Sequence, residues 1–302
     1  MRRLSRTMPS KRSPTSKDNA LTLSWDELPE WMKDNEYIQR GYRKELRTIR
    51  GCISSVYGYF HNETVNIHSH LGGAALFCFL ALVTHPYVLS VHRSVTWKDI
   101  MGMYVFIGAA VFCLLSSATY HCLTCHSRDV AKRCHALDYA GIVVLIVGSF
   151  FPTLHYGFFC DPLPHNVYLA CICSAGLVAA YIVLSPTYST PTYRRARTTV
   201  FVSLGLVGII PVTHGLFAVG FSRLSDEMGL LWILLSAACY LNGALIYASR
   251  VPERWYPGTF DIFGSSHQIF HIHVLFAVVA HYLSLLTAIN HRHGLHGGVC
   301  LV

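Results

Sequence analysis

Two pairs of polar residues lie in apolar stretches of the sequence at the same spacing. Ser117 and His121 are four residues apart, and so are His267 and His271. Residues at this spacing share one face of a helix, with Cβ atoms about 5–6 Å apart, so a pair of histidines can bind one metal ion. A third histidine from another helix completes the three-histidine set of a hydrolytic zinc site, whose fourth position stays open for water. His121, His267 and His271 are therefore candidate zinc ligands.

An acidic residue, Asp138, lies at the start of another apolar stretch. An aspartate at the centre of a membrane helix costs roughly 2.5–3.5 kcal/mol on insertion scales, so Asp138 is a functional candidate. It would support a metal ligand, or orient the attacking water and act as general base. Ser117 would hydrogen-bond that water or the developing oxyanion, which makes Asp138 and Ser117 the candidate catalytic residues.

Structural interpretations of the same residues stay open at this stage. Histidines four residues apart arise by chance in a chain that has 18 of them. Asp138 would be favourable at the N-terminal end of a helix dipole, and Ser117 could serve helix packing alone. Cys122 and Cys125 have CxxC spacing and form a competing candidate for zinc. Further donors for that second site follow in the same loop: His126, Cys134 and His135.

The elements that position these residues follow from the composition. Of 302 residues, 52% are hydrophobic and only 13% are charged, with a mean hydropathy of +0.38. Soluble domains have roughly 25% charged residues, so this chain cannot cover a soluble surface. The net charge of +8 comes from basic residues in the N-terminal tail and in short loops. A soluble enzyme, a disordered chain and a nucleic-acid binder are excluded, and a polytopic membrane protein is predicted.

Seven apolar runs are long enough to cross a bilayer, which predicts an all-α bundle of seven transmembrane helices. They lie near 71–91, 100–120, 137–159, 166–185, 199–219, 229–249 and 267–288. We divide the chain into a cytosolic tail with a short amphipathic segment (1–70), the membrane domain (71–290) and a short external tail (291–302). Within the first of these, 1–20 is expected to be disordered and 24–50 to contain a surface helix.

The distribution of basic residues predicts the orientation of the bundle. With the N-terminus in the cytosol, 20 Lys and Arg residues lie inside and four outside. The positive-inside rule therefore favours a cytosolic N-terminus and an external C-terminus. In this orientation the C-terminal end of span two and the N-terminal ends of spans three and seven lie at the cytosolic face. The candidate residues of all three spans thus converge at one depth, which strengthens the zinc-site hypothesis.

Other histidines and the cysteines receive structural interpretations. His68 and His70 are expected to be solvated at the entry to span one, whereas His291, His293 and His296 crowd the external tail. The 11 cysteines are odd in number and irregular in spacing, so they do not indicate a disulfide framework. Most are expected to be buried as small hydrophobic residues.

Four stretches of the sequence resemble the adiponectin and progestin receptor family. This family is related to bacterial hemolysin-III-type proteins and, more distantly, to alkaline ceramidases. The resemblance is greatest to the adiponectin-receptor branch and to fungal zinc-homeostasis proteins, and it covers about residues 35–298. The stretches are HNETVNIHSHLGG (61–73), SSATYHCLTCHS with LDYAGI (116–142), PTYRRARTTVFVSLGLVGIIPVTH (191–214) and VPERWYPGTFDIFGSSHQIFHIHV (251–274).

The resemblance implies the same site that the spacing suggests. The family's Ser-x-x-x-His falls on Ser117 and His121, its aspartate on Asp138, and its His-x-x-x-His on His267 and His271. It implies a seven-span fold with an internal N-terminus and a zinc ion held by three histidines. It also implies the zinc-dependent ceramidase activity associated with adiponectin receptors, which releases a sphingoid base and a fatty acid.

Three functions are compatible with these observations. The favoured hypothesis is a membrane receptor in lipid and zinc homeostasis signalling, with zinc-dependent amide hydrolysis of a ceramide-like lipid. The second is a receptor whose zinc is structural and whose cytosolic tail transmits the signal. The third, a zinc- or proton-linked transporter, is disfavoured because no second ionisable cluster lies at the midplane. Membrane lipids, an extracellular protein ligand and a cytosolic adaptor are the expected partners, without nucleic acid, and both plasma membrane and endoplasmic reticulum fit the sequence.

Overall fold

The computed structural model describes residues 21–185 and 191–300, and in them seven helical segments are long and apolar enough to cross a membrane. The tail predicted to be disordered, 1–20, lies outside the described residues. The helices are α1 (Ile49–Gly58), α2 (Thr64–Thr84), α3 (Trp97–Leu123), α4 (Arg128–Gly157), α5 (Pro162–Leu184), α6 (Arg194–Leu206), α7 (Ile209–Val219), α8 (Phe221–Met228), α9 (Leu230–Ser249) and α10 (Ser266–Ile289). The seven-helix prediction is confirmed.

Several spans begin before the predicted residue. The first was predicted at 71 and begins at Thr64, and the third was predicted at 137 and begins at Arg128. Hydropathy detects only the part of a helix that crosses the hydrocarbon core. The helical hydrogen bonds continue into the polar boundary, where water and headgroups solvate the exposed side chains.

The fifth predicted span is two helices rather than one. α6 ends at Leu206 and α7 begins at Ile209, with i→i+3 backbone hydrogen bonds across the junction. Pro211 lies four residues after Val207, and a proline ring clashes with the carbonyl of residue i−4 in a regular helix. The proline therefore accounts for the break at this position.

The membrane helices form a closed ring. Each packs against the next in the order α2, α3, α4, α5, α6, α9 and α10, and α10 returns to contact α2. α3 and α4 approach closely because small residues line their contact, as is common between helices in membranes. A Cβ atom placed on Gly148 would lie 2.6 Å from the Cβ of Ala109, and one on Gly141 would lie 2.9 Å from the Cα of Cys113.

The segment before the first span does not form the short surface helix that was predicted within 24–50. It contains short 3₁₀ turns and a two-stranded antiparallel sheet that pairs β1 (Thr22–Leu23) with β2 (Tyr42–Arg43). Gly41, at φ +81°, and Pro29 interrupt any helix through this region. The amphipathic helix lies later, as α1, whose Ile53 and Tyr57 are 50% and 72% exposed.

The opposite end of the bundle holds two features that were not predicted. Asp99, expected to precede span two, is fully buried in the first turn of α3 and accepts hydrogen bonds from His155, Tyr156 and His293. The bundle therefore contains a buried aspartate besides Asp138, and His293, which was assigned to the external tail, is buried against it. Cys160 and Cys300 form a disulfide, so the cysteines include one covalent link between the α4–α5 connection and the segment after α10.

The close contact between α3 and α4 predicts a position-specific effect of added volume. We expect Gly141→Ala to destabilise the protein by about 1–3 kcal/mol, because the new Cβ would meet the α3 backbone, which cannot move aside like a side chain. Gly108→Ala is the matched control, since Gly108 is exposed on α3 and a Cβ there meets nothing within 4 Å. Thermal unfolding in detergent measures both variants, and equal melting temperatures would contradict the packing described above.

Candidate metal centre

Three imidazole rings converge where α3 ends and α10 begins. His121 lies in the last turn of α3, and His267 and His271 lie in the first two turns of α10. One nitrogen from each ring lies within 4.8 Å of the others, and the Nε2 atoms of His121 and His267 are 3.2 Å apart. Within the part of the chain that the structure describes, this is the one group of three or more such donors that could hold a metal ion.

Hydrogen bonds on the outer ring nitrogens fix the orientation of two of these histidines. The Nδ1 of His121 lies 2.7 Å from a carboxylate oxygen of Glu63, and the Nδ1 of His271 lies 3.2 Å from the backbone carbonyl of Asn66. Carbonyl and carboxylate oxygens accept, so each Nδ1 donates. Each Nε2 then keeps its lone pair, which is the form of histidine that binds a metal ion.

Glu63 belongs to the site, although sequence reasoning treated its segment only as a polar approach to the first span. It is the residue before α2, where its backbone N–H donates to Nδ1 of His61 and its carboxylate accepts from the Asn66 side chain. Burial would raise the pKa of Glu63, but the His121 imidazole and the hydrogen bonds from His121 and Asn66 outweigh burial and hold this pKa below its usual range. Glu63 is thus a carboxylate that orients His121.

The depth argument used for the histidines could have identified Glu63. It precedes span one, whose start lies at the cytosolic face in the predicted orientation. That position is level with the end of span two.

The end of α3 is also held by a buried arginine from β2. The Arg43 guanidinium donates to the His121 carbonyl, to the Cys122 carbonyl at 3.0 Å and to the Thr124 hydroxyl at 3.0 Å. It also donates to the Ser55 hydroxyl on α1, at 3.0 Å. The segment before the first span is therefore tied directly to the residue that carries the first imidazole.

A cavity of about 60 Å³ adjoins the histidines and contains both predicted catalytic residues. Ser117 and Asp138 line it together with His70, His267 and His271. The Ser117 side chain interacts with the Asp138 carboxylate, and both residues are buried. Such a cavity has room for a few water molecules, because one needs roughly 10–15 Å³. Asp138 is not one of the three residues that could hold the metal ion. It lies with Ser117 beside the histidines, in a cavity with room for water.

Asp138 lies deeper in its helix than predicted. It was expected one residue into the third span, but α4 begins at Arg128, about 15 Å earlier along the axis at 1.5 Å per residue. An interpretation as a charge at the helix N-terminus does not fit, since dipole effects are confined to the first turn.

His70 is not solvated, contrary to expectation. Its ring is buried and stacks on that of His271, with centroids 3.6 Å apart and planes 7° from parallel. Neither of its ring nitrogens has a hydrogen-bond partner. The stack supports one face of the His271 ring, and both residues line the cavity.

The competing loop does not assemble a metal site in the described residues. The Cys125 sulfur lies 3.7 Å from that of Cys52 on α1. No third donor joins this pair within the distance that defines the histidine group. The three-histidine alternative is therefore the one with the geometry of a metal centre in this part of the chain.

Comparisons with known proteins cover the same region. A model of haemolysin-III-related proteins matches residues 58–282, which include every residue of the histidine site. The chain is 42% identical over 257 residues to the adiponectin receptor protein of Drosophila melanogaster, covering 84% of this chain and 56% of that protein. It is 40% identical over 274 residues to heptahelical transmembrane protein 1 of Arabidopsis thaliana, covering 89% and 82%. It is also 38% identical over 265 residues to the ADIPOR-like receptor IZH2 of Saccharomyces cerevisiae, covering 88% and 83%. The chain thus spans about half the length of the fly relative and most of the length of the other two.

The geometry predicts one bound transition-metal ion per chain. Removing two of the three imidazoles in His267→Ala/His271→Ala should abolish binding, as measured by elemental analysis of monodisperse protein in detergent. The control is His291→Ala/His296→Ala, which removes another contacting pair with Nε2 atoms 3.3 Å apart. Retention of the metal in the first variant would locate it outside the three-histidine cluster.

Glu63 should affect metal affinity without binding the metal itself. Glu63→Gln removes the negative charge that orients and polarises His121, and loss of such a partner typically lowers affinity about 10–100-fold. Chelator competition measures the change, and Glu45→Gln, which alters an ion pair with the exposed Arg47, is the control. Unchanged affinity in Glu63→Gln would show that the contact has no role in metal binding.

Proposed function

The chain belongs to the haemolysin-III-related family, and from this premise we propose that it is an adiponectin-receptor-like membrane receptor with zinc-dependent amide hydrolase activity toward ceramide-like lipids. The observation that carries the proposal is the convergence of three imidazole nitrogens beside a buried aspartate and serine, inside a seven-helix membrane bundle.

Zinc is the ion that this donor set favours. Three neutral histidines with a further position for water are typical of hydrolytic zinc sites, and a carboxylate behind one histidine is their usual support. A zinc ion held by His121, His267 and His271 would polarise a carbonyl group and make nearby water more acidic.

The residues of the cavity have separate roles in the proposed hydrolysis. Asp138 accepts a proton from the attacking water and returns it to the amine that leaves. Ser117, whose side chain interacts with Asp138, would hold that carboxylate toward the cavity that both residues line. Arg194 and Arg197, which are buried and line the same cavity, provide positive charge suited to the carboxylate that amide hydrolysis releases.

The position of the cavity favours a lipid as the substrate. It lies between α2, α3, α4, α6, α9 and α10, and most of the surface that it presents is apolar. A long acyl chain can approach between helices from the hydrocarbon phase, where a water-soluble substrate has no favourable path. A lipid amide such as ceramide brings both the acyl chain and the scissile carbonyl.

A second candidate function is a receptor whose zinc is structural. The hydrogen bond from the Arg43 guanidinium to the His121 carbonyl favours this function, because the bond joins the segment before the first span to the metal centre. A metal ion that holds α3 and α10 together would then fix the position of this segment, against which a cytosolic adaptor would bind.

Ceramide turnover by purified protein distinguishes the two functions. We expect Asp138→Asn to keep its zinc and to lose at least about 100-fold in turnover, the usual contribution of a positioned general base. Asp129→Asn, an exposed position on the same helix, should retain full turnover. Full turnover by Asp138→Asn would contradict its role, and zinc binding without any turnover by the unaltered protein would leave the structural candidate.

The proposed orientation, with the metal centre at the cytosolic face, has two independent supports. Basic residues are concentrated on that side. The Cys160–Cys300 disulfide lies at the other end of the bundle, whereas Cys52, Cys122 and Cys125 near the metal centre are free thiols. Disulfides persist on the oxidising side of a membrane, and thiols stay reduced in the cytosol. Either the plasma membrane or the endoplasmic reticulum satisfies both supports.

Protease protection in sealed microsomes tests this orientation. With cytosol-side protease outside the vesicles, we expect an N-terminal epitope tag to be digested and a C-terminal tag to be protected, because 20 of the 24 basic residues hold their segments in the cytosol. Detergent permeabilisation should expose both tags. Digestion of the C-terminal tag in intact vesicles would reverse the orientation.

A further inference from the structure

Two free thiols meet at the face of the bundle that carries the histidines. The sulfur atoms of Cys52, on α1, and Cys125, in the α3–α4 loop, are 3.7 Å apart, and both residues are buried. The loop and the segment before α1 are joined by backbone hydrogen bonds from Leu46 to the Cys125 carbonyl and from Arg47 to the His126 carbonyl. The two cysteines are thus held in contact by the backbone on both sides.

The pair lies beneath a thin layer of the protein, outside the membrane-spanning helices. In the loop, His126 and Ser127 are half-buried, and Arg128 at the start of α4 is exposed. On α1 the neighbouring Ile53 and Ser54 are exposed. A small solute therefore needs only a local opening of the loop to reach the sulfur atoms, and such openings are common in short surface connections.

The two thiols differ in acidity. The hydrogen bond with Cys52 lowers the pKa of Cys125, and the Arg43 guanidinium contributes in the same direction against the opposing effect of burial. The same hydrogen bond and burial raise the pKa of Cys52. Cys125 is therefore the thiol that more readily forms a thiolate, and the thiolate is the nucleophile in cysteine oxidation.

We propose that Cys52 and Cys125 are a reversible redox pair that closes to a disulfide in response to a peroxide. In the first step the Cys125 thiolate attacks one oxygen of hydrogen peroxide, which gives a sulfenic acid and, after protonation, one water molecule. In the second step the Cys52 sulfur attacks that sulfenic sulfur, the S–O bond breaks, and a second water leaves with the Cys52 proton. Two thiols and one peroxide thus give one disulfide and two waters, and a small-molecule thiol reverses the change.

Formation of the Cys52–Cys125 disulfide would affect the metal centre through Arg43. The two sulfurs must approach from 3.7 Å to about 2.05 Å, which draws α1 and the loop together. Arg43 bridges these same elements, because it bonds Ser55 one turn after Cys52 and the carbonyls of His121 and Cys122 before Cys125. This link rests on the proposed metal site. It predicts that formation of the disulfide weakens metal binding by about tenfold, because the contact that supports a metal ligand is disturbed.

The experiment treats the full-length protein in detergent with hydrogen peroxide, blocks the remaining thiols and identifies disulfide-linked peptides by mass spectrometry. We expect a Cys52–Cys125 peptide pair beside the Cys160–Cys300 pair, with loss of the first on treatment with dithiothreitol under native conditions. Cys52→Ser should remove the new pair, and Cys134→Ser, a free thiol of the same face, should not.

The results separate the redox pair from its effect on the metal. A Cys122–Cys125 link, or overoxidised cysteines without any Cys52–Cys125 link, would overturn the proposal. Zinc affinity, measured by chelator competition on the same samples, should fall in the oxidised protein and remain constant in peroxide-treated Cys52→Ser. A complete Cys52–Cys125 link with unchanged zinc affinity would overturn the connection to the metal centre, and protein without zinc in either state would overturn the proposed function instead.

Discussion

The structure depends on the convergence of three imidazole rings in an apolar bundle, with one nitrogen of each ring within 4.8 Å of the others. Buried polar groups are stable only when their other hydrogen-bonding atoms are satisfied. Glu63 and the Asn66 carbonyl meet this requirement for His121 and His271. Because these partners lie at the start of α2, the ends of α2, α3 and α10 must meet at one level. The contact of α10 with both α2 and α9, which closes the ring of helices, provides that arrangement.

The polar segment before the first span supports the site from the water side. Arg43 lies 2% exposed between α1 and the end of α3. Such a buried cation is tolerated because carbonyl and hydroxyl oxygens surround its guanidinium group. The lipid phase cannot supply these contacts, so a folded extramembrane segment is needed to complete the centre. This explains why a chain dominated by apolar helices also contains a small sheet and an additional helix at one face.

Sequence reasoning predicted what depends on hydropathy and on spacing. The seven spans, and the convergence of Ser117, His121, Asp138, His267 and His271, follow from apolar runs, i, i+4 pairs and a consistent orientation. It did not predict Glu63, His70 or Asp99, because each acts through a partner distant in sequence. It placed the starts of several spans too late because hydropathy reports the hydrocarbon core and not the extent of backbone hydrogen bonding. The helix expected over 24–50 failed because a spacing pattern does not weigh Pro29 and Gly41, which end helices locally.

The link between Cys160 and Cys300 has a consequence for how the protein is made. The two cysteines are 140 residues apart, and four membrane crossings lie between them. Cys160 emerges from the membrane when only the first three spans have been inserted, but its partner arrives after the seventh. The bond therefore forms only in chains whose last span has crossed in the correct direction. The bond thus marks chains whose seven spans are all inserted, and until it forms, Cys160 is a free thiol that can undergo thiol–disulfide exchange.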